Sequence, residues 1–346
     1  MPHFDSHPNA PVISSRLLRA MITIALTLCV VFVPLVVHGE PAGESEQSTY
    51  FEFDWWTPRY FLGYSLIAAG LTGYIVGDQM TARTEMRIGP DYDPDNPIEV
   101  FNSEEVSKPF RERDTVSIAW VHGFLVGSAF LLAGVEAGQW SRGHGSAHRF
   151  HDTLIGYAEA TSMTAAITSL AKPWTGRLRP DFGERALRYH CAQPDADYGD
   201  HCDGYEDRPL HVTERRARRR LNDGQKSFFS GHASNSFAIF GYTSLVLGGH
   251  YVWGSRATSR TRAVGLAAQA VLMTGATFIA ASRVTDGRHH TSDVVTGAAV
   301  GTVFANFSYW RRFDRSGYLR LGKPSASSVN LQPATEYPGV TLTLRR

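Results

Sequence analysis

Three short clusters in this chain combine residue types and spacings suited to chemistry on a phosphorylated substrate. The first is Lys172-Pro-Trp-Thr-Gly-Arg-Leu-Arg179-Pro180, the second is Ser230-Gly231-His232, and the third runs from Ser282-Arg283 to His289-His290-Thr-Ser-Asp293. Lys172 offers a point charge, and Arg179 and Arg283 offer planar guanidinium forks, a set fitted to a phosphate dianion. Ser230 and the backbone N–H groups around Gly231, read as the start of a helix, add donors that favour an anion. A glycine at that place also lets the backbone approach a ligand closely. His289 and Asp293 lie four residues apart, so on one helical turn the carboxylate can bond the imidazole and fix its tautomer. An imidazole held in that way is a competent nucleophile toward phosphorus, and His232 can protonate the departing alkoxide. The surrounding positive charge would stabilise the phosphoryl group in transit.

Taken singly, each piece has an ordinary explanation. Arg-Pro pairs end many helices, Ser-Gly-His turns are common, and paired histidines often sit on surfaces or hold adventitious metals. A metal site would need carboxylates or cysteines converging on these histidines. Asp293 is the main candidate and its surroundings are cationic, so neither metal nor cofactor is expected. The conjunction selects His289, His232 and Asp293 as catalytic candidates. Lys172, Arg179, Ser230, Gly231 and Arg283 are the phosphate-binding ones. His290 fits the spacing to Asp293 and Arg283 less well than His289.

All three clusters fall at the ends of long apolar segments. Six such segments cover about residues 60–76, 115–135, 153–171, 233–253, 263–282 and 294–310. Each is too long for an ordinary strand and is rich in Ala, Gly, Leu and Val, so the expected fold is an all-α bundle of six helices. If successive helices alternate in direction, the third exits where the fourth enters and where the fifth exits. The clusters then meet on one face of the bundle.

Most of the segments approach the length that spans a bilayer. Glu159 interrupts the third, and a mean hydropathy of −0.20 is low for a chain made of membrane spans, which favours a soluble bundle. Charge placement favours the membrane. Arg142 and Arg149, then Arg256, Arg260 and Arg262, then Arg311 and Arg312 would share one side, which positive charge marks as cytoplasmic. Membrane embedding or association is the expectation.

The rest of the chain adds context. A net charge of +1 supplies no global field for nucleic acid, and 43% hydrophobic residues exclude a disordered chain. Arg16 and Arg19 precede an apolar run over residues 20–37, followed by Val37-His38-Gly39, so residues 1–39 read as a signal peptide or N-terminal anchor. An acidic, aromatic lead-in (40–59), the helical domain (60–313) and a polar tail (314–346) follow. Cys191 and Cys202 bracket a polar stretch and form a plausible disulfide in an oxidising compartment, with a gain of about 3 kcal/mol in the chain-entropy model. The basic run Glu214-Arg-Arg-Ala-Arg-Arg-Arg220 reads first as a solvated helix face and second as a contact for anionic lipid. Val340-Thr-Leu-Thr-Leu344 alternates like an edge strand or lies in a tail.

The three clusters resemble the signature of the phosphatidic acid phosphatase type 2 superfamily, shared with bacterial acid phosphatases and vanadium haloperoxidases. That signature is Lys, six residues, Arg-Pro; then Pro-Ser-Gly-His; then Ser-Arg, five residues, His, three residues, Asp. Phe229 stands in place of the usual proline. Gly-Arg-Leu-Arg-Pro-Asp-Phe at 176–182, Ser-Phe-Phe-Ser-Gly-His-Ala-Ser at 227–234 and Lys108-Pro-Phe-Arg-Glu-Arg-Asp-Thr-Val116 are similar to the lipid phosphate phosphatase branch. The resemblance implies a six-helix bundle, a phosphohistidine on His289, a general acid at His232 and a cradle of Lys172, Arg179, Ser230, Gly231 and Arg283. The substrate it implies is a lipid phosphate or diphosphate, with the membrane as partner and no nucleic acid. The implied location is the inner membrane of the cell envelope with the site facing the periplasm, or the periplasm itself after signal cleavage. Competing expectations are a broad periplasmic acid phosphatase, a vanadium-dependent haloperoxidase and a non-catalytic phospholipid binder. A cleaved signal would place residues 40–59 outside, so the first apolar segment would cross against the direction the family uses.

Overall fold

The structure is a computed structural model that describes residues 58–82, 106–111, 113–191, 202, 214–320, 328–333 and 340–345. The expected signal or anchor, the lead-in up to residue 57 and the turn-rich Gly-Pro-Asp-Tyr-Asp-Pro-Asp-Asn-Pro lie outside the described residues. The helices in chain order are α1 (Pro58–Gln79), α2 (Ile118–Ser141), α3 (Ala147–Thr175), α4 (Phe182–His190), α5 (Glu214–Gly224), α6 (Gly231–Tyr251), α7 (Ser259–Thr285) and α8 (Thr291–Arg312). Six are the long apolar segments, each extended by a few polar residues at its ends. Caps set several of those ends. Ser146 accepts the Arg149 N–H at the start of α3, and Thr258 and Thr261 form a reciprocal box at the start of α7.

Two layers organise the bundle. α3, α6 and α8 pack on one another at the centre, while α1 covers α3, α7 lies on α6, and α2 lies against both α3 and α6. Tyr157, Ile239, Tyr242, Val246 and Tyr309 form the heart of the main core. The central helices also bury charge. Glu159 is bonded to Arg311, to Arg312 at 2.7 Å and to Ser308 at 3.3 Å. Glu136 accepts from Thr153 at 2.8 Å and Arg149 at 3.2 Å, and lies 2.9 Å from His250. Buried charges paired in this way are tolerable, whereas isolated ones would not be.

The most apolar helices lie on the outside of the bundle. Among the described residues, α1, α2 and α7 are the helices long and apolar enough to cross a membrane, and all three are peripheral. Their outer faces carry large apolar side chains such as Phe130 and Val271, each 71% exposed. Most of the charged residues that lower the mean hydropathy lie outside the six long helices, in the connections and toward the chain ends.

Directions alternate along the six long helices. α1 begins beside the start of α3, where the Tyr60 hydroxyl meets His148 Nδ1 at 2.8 Å. It ends where the Met80 carbonyl accepts from Lys226 Nζ at 2.6 Å, near the exits of α3 and α7. α1 therefore runs toward the end that holds the three clusters.

The connection between α3 and α6, whose basic run from Glu214 to Arg220 reads from sequence as a helix face, contains α4 and α5. Their few apolar residues, Phe182, Ala186 and Leu221, join Leu178 and Val106 in a small separate core. Helices of nine and eleven residues with so few apolar positions give little periodic signal. Cys191 and Cys202 are joined by a disulfide. The alternating run near the C-terminus is one strand of an antiparallel hairpin, β1 (Ser328–Pro333) with β2 (Val340–Arg345), rather than the edge of a larger sheet.

The contact between α6 and α8 leaves no room for a side chain at two glycines. A Cβ on Gly301 would lie 2.1 Å from the Ser234 carbonyl oxygen, and one on Gly297 would lie 2.7 Å from that of Ser230. Both neighbours are helix backbone that cannot move alone. Gly301→Val is expected to cost about 1–3 kcal/mol or to prevent folding, read as a fall in Tm, whereas Gly138→Ala, with open space around it, leaves Tm within about 2 °C.

Candidate active site

The ends of α3, α6, α7 and α8 meet and bring the three clusters together. His289 lies in the connection between α7 and α8, buried, with its main-chain N–H on the Arg283 carbonyl at 3.2 Å. Asp293 is fully buried in the first turn of α8, four residues on. The direct bond expected between them is not formed: Nδ1 of His289 and Oδ2 of Asp293 are 3.7 Å apart. Ser227 stands between them. Its hydroxyl donates to Asp293 Oδ2 at 2.5 Å and lies 3.4 Å from His289 Nδ1, so the carboxylate reaches the ring through a hydroxyl. This sets the Nδ1-protonated tautomer, with Ser227 as acceptor, and leaves the Nε2 lone pair for chemistry.

Asp293 is itself held from three more directions. Its Oδ1 accepts from Arg177 at 2.8 Å, its Oδ2 accepts the His290 N–H at 3.1 Å, and its carbonyl accepts the Ser230 N–H at 3.0 Å. Burial alone would raise its carboxyl, but His289, Ser227 and Arg177 together lower it to about 2. His290 faces elsewhere, with Nε2 on the Leu178 carbonyl at 3.0 Å, and ties the start of α8 to the turn after α3. That turn needs Gly176, which closes α3 at φ +54 with its N–H on the Lys172 carbonyl.

The cationic groups surround this pair. Lys172 lies in the last turn of α3, and a Cβ on Gly231 would come within 3.3 Å of its Nζ, so the glycine keeps space beside the ammonium. Ser230 caps α6, its hydroxyl accepting the Ala233 N–H at 3.5 Å. Arg179 is buried, with Nε on the Asp223 carbonyl and Nη2 on the Asp223 carboxylate, both at 2.9 Å. Arg283 donates to the Val116 carbonyl at 3.3 Å, while its Nε, like Nε2 of His232, is buried without a partner among the described residues.

A chain of ion pairs ties these cations to carboxylates. Asp223 contacts Arg185 at 3.5 Å, and Arg185 forks onto Asp181 with two bonds of 2.9 Å. Asp181 meets Arg288 at 3.0 Å, Arg288 meets Asp114 at 2.7 Å, and Asp114 meets Arg283 at 3.5 Å. Thr115 bonds Asp286 through both its N–H and its hydroxyl, anchoring the segment before α2 at the site. Phe110 of the same segment packs under the guanidinium groups of Arg185 and Arg288, 4.9 and 4.8 Å from its ring centre. The sequence reading assigned no role to Ser227, Arg177, Asp114, Asp181, Arg185, Asp223 or Arg288. Five of them stood inside quoted motifs, Ser227 three residues before Ser230, Arg177 two before Arg179, Asp181 after Pro180, Asp114 after Arg113 and Arg288 beside His289, but nothing local shows what each would bond.

Burial first, and then the surrounding positive charge, keep both histidines neutral. Burial, outweighing its link to Asp293, together with Arg179 and Lys172 lowers His289 to about 3. Burial together with Arg283, His289 and Lys172 lowers His232 to about 2. Among the described residues no group of three His, Cys, Asp or Glu is placed to hold a metal ion. What is gathered is a neutral, oriented imidazole, a second imidazole facing it with an unpartnered nitrogen, and cations poised for an anion.

Residues 153–316 match the model of the PAP2 superfamily. Diacylglycerol pyrophosphate phosphatase 1 of Saccharomyces cerevisiae is 31% identical over 62% of this chain and 70% of its own length. The chain belongs to the PAP2 superfamily and is by class a hydrolase of phosphate esters. Lipid phosphate phosphatase 1 of Arabidopsis thaliana is 32% identical over 50% of this chain. The probable diacylglycerol pyrophosphate phosphatase 1 of Schizosaccharomyces pombe is 30% identical over 47% of it. The chain spans about half the length of each of these two, 48% and 54%. No solved structure matches the chain.

Two outcomes follow from the geometry. Ser227→Ala breaks the link from carboxylate to imidazole, and Asp223→Asn weakens the clamp on Arg179. The first is expected to lower kcat on a soluble phosphate ester by about 10²-fold with KM little changed, the second mainly to raise KM. Steady-state kinetics of the two variants separate these effects. The histidines also make stability depend on pH. Their folded pKa values lie below the unfolded 6.5, so the unfolded chain binds more protons between pH 6.5 and about 3. Stability then falls as pH drops through that window. A Tm series from pH 7 to 4 should show the decline, and His232→Asn should make it shallower.

Proposed function

We propose that the protein hydrolyses a lipid phosphate or diphosphate through a phosphohistidine formed on Nε2 of His289. The observation that carries this reading is the Asp293–Ser227–His289 relay, which leaves a neutral Nε2 beside Lys172, Arg179 and Arg283. A binder of phosphate would need the cations but not an oriented nucleophile.

The chemistry proceeds in two displacements. Nε2 of His289 attacks phosphorus and the bond to the ester oxygen breaks, while His232 delivers a proton to the departing alkoxide. The positive charge that develops on His289 is carried at Nδ1 toward Ser227 and Asp293. Water then attacks phosphorus, His232 takes its proton, the P–N bond breaks and inorganic phosphate leaves. Lys172, Arg179, Arg283 and the N–H groups at the start of α6 hold the three non-bridging oxygens throughout. In the empty site His232 is neutral. Burial is the main cause and the cations add to it; a bound phosphate dianion offsets the cations and so favours the charged acid when there is a leaving group to receive its proton.

A lipid substrate is supported by the apolar outer surfaces of α1, α2 and α7, and by Trp174, 56% exposed two residues from Lys172. These surfaces support a bilayer setting for the helices, with the site at the end opposite Arg142, Arg256 and Arg260. The arginine-rich end is then cytoplasmic and the site opens to the outer side. The relatives named above as acting on diacylglycerol pyrophosphate and lipid phosphates support the same class of substrate.

Phosphate release from short-chain phosphatidate or a polyprenyl diphosphate should survive a chelator, because the cationic pocket repels a metal ion, and should be blocked by vanadate. His289→Ala should remove turnover, and its persistence in a folded variant would overturn the assignment. Halide oxidation in the presence of vanadate, faster than phosphate release, would favour an oxidase instead.

A further inference from the structure

A second cavity, of about 360 Å³, lies at the end of the bundle away from His289. Its walls are the turn between α2 and α3, the end of α6 with the turn that follows, and the residues after α8. From His232 to His250 along α6 is 18 residues, about 27 Å at 1.5 Å per residue, close to the ~30 Å of a bilayer's hydrocarbon core. The cavity is therefore one hydrocarbon thickness from the catalytic pocket. Its volume falls in the range of small-ligand sites.

Its lining is built to attract an anion. Arg149 forms a fixed floor, ion-paired with Glu136 and bonded to the Gly317 carbonyl, so its guanidinium is held in place and the uncompensated charge is that of the rim. Arg256 stands at the rim, exposed, with one light contact to the His144 carbonyl at 3.3 Å. Ser255 and Tyr318 place two hydroxyls beside it, 2.5 Å apart. The nearby carboxylates are already engaged: Glu136 by Arg149 and Thr153, and Asp314 by the main-chain N–H groups of Ser316 and Tyr318. Arg142, Arg260 and Arg262 on adjoining turns leave the surroundings positive. Trp140 and Tyr318, both partly exposed, mark the level where headgroups meet hydrocarbon.

We propose that this cavity binds the phosphate of an anionic phospholipid headgroup, in the leaflet opposite the one that presents substrate. The proposal rests on the membrane placement given above but not on the catalytic reading. The bound headgroup bridges the α2–α3 turn, the α6–α7 turn and the segment after α8, and so adds to the contacts that already join these three helix ends.

The test uses the full chain in zwitterionic detergent with vanadate saturating the catalytic pocket. Tm is followed while dihexanoyl phosphatidylglycerol, dihexanoyl phosphatidylcholine or inorganic phosphate is titrated in. The anionic diester should raise Tm saturably, and the zwitterion should not. Arg256→Ala should weaken the response at least 5-fold and Arg256→Glu should abolish it, while both retain wild-type kcat/KM on a soluble substrate. Inorganic phosphate acting as well as the lipid would support the anion site and assign it to free phosphate. An equal response to the zwitterion, or an unchanged response in both Arg256 variants, would overturn the proposal. Because the readout is Tm, a chain that turned over no lipid phosphate would refute the proposed function and leave this test intact.

Discussion

Concentrated positive charge is the constraint on which this molecule's architecture turns. Lys172, Arg179 and Arg283 face one small volume, and burial removes much of the water that would screen them from one another. Left alone they would drive the ends of α3 and α7 apart. The carboxylates of Asp223, Asp114 and Asp286 offset this charge through Arg179 and Arg283, and Asp181 holds the neighbouring Arg185 and Arg288. The Asp223 side chain is 53% exposed and still clasps Arg179.

That requirement explains elements that otherwise look incidental. α4 exists to carry Asp181 and Arg185, and its small core with Leu221 fixes where both point. The segment before α2 is held down by Phe110 and Thr115 so that Asp114 can reach two arginines at once. The relay through Ser227 serves the same end. A serine between His289 and Asp293 lets the carboxylate keep Arg177 as a partner while still orienting the ring.

Much of this was legible in the amino-acid order, for identifiable reasons. The six long helices announce themselves because apolar runs of that length have few alternatives. Their alternation brings the three clusters to one end by counting alone. Lys172, Arg179, Ser230, Gly231, His232, Arg283, His289 and Asp293 share fixed short spacings, so local reasoning reaches them. Partners such as Asp114 and Arg288 lie 174 positions apart, and Asp181 and Arg288 lie 107 apart, and no local spacing encodes such pairs. The tie between His289 and Asp293 was legible as a pairing but not as a relay, because four-residue spacing permits a direct bond and only tertiary packing inserts Ser227. The mean hydropathy averages apolar helices with polar connections and chain ends, so it could not show which helices are apolar enough to cross a membrane.

The division between an apolar outer ring and a polar inner trio also bears on how such a chain could be made. With Asp152 and Glu159 in its first half, α3 gains little by leaving water for lipid alone, and α8 carries Arg311 and Arg312 at its end. On the membrane reading, each of these two follows an apolar neighbour in the order of synthesis: α1 and α2 emerge before α3, and α7 before α8. The greasy helices enter first and offer a protein wall, and the ionisable ones are drawn in against it. Chain order then doubles as an insertion schedule, and Glu159 is desolvated for good when Arg312, translated last, arrives to meet it.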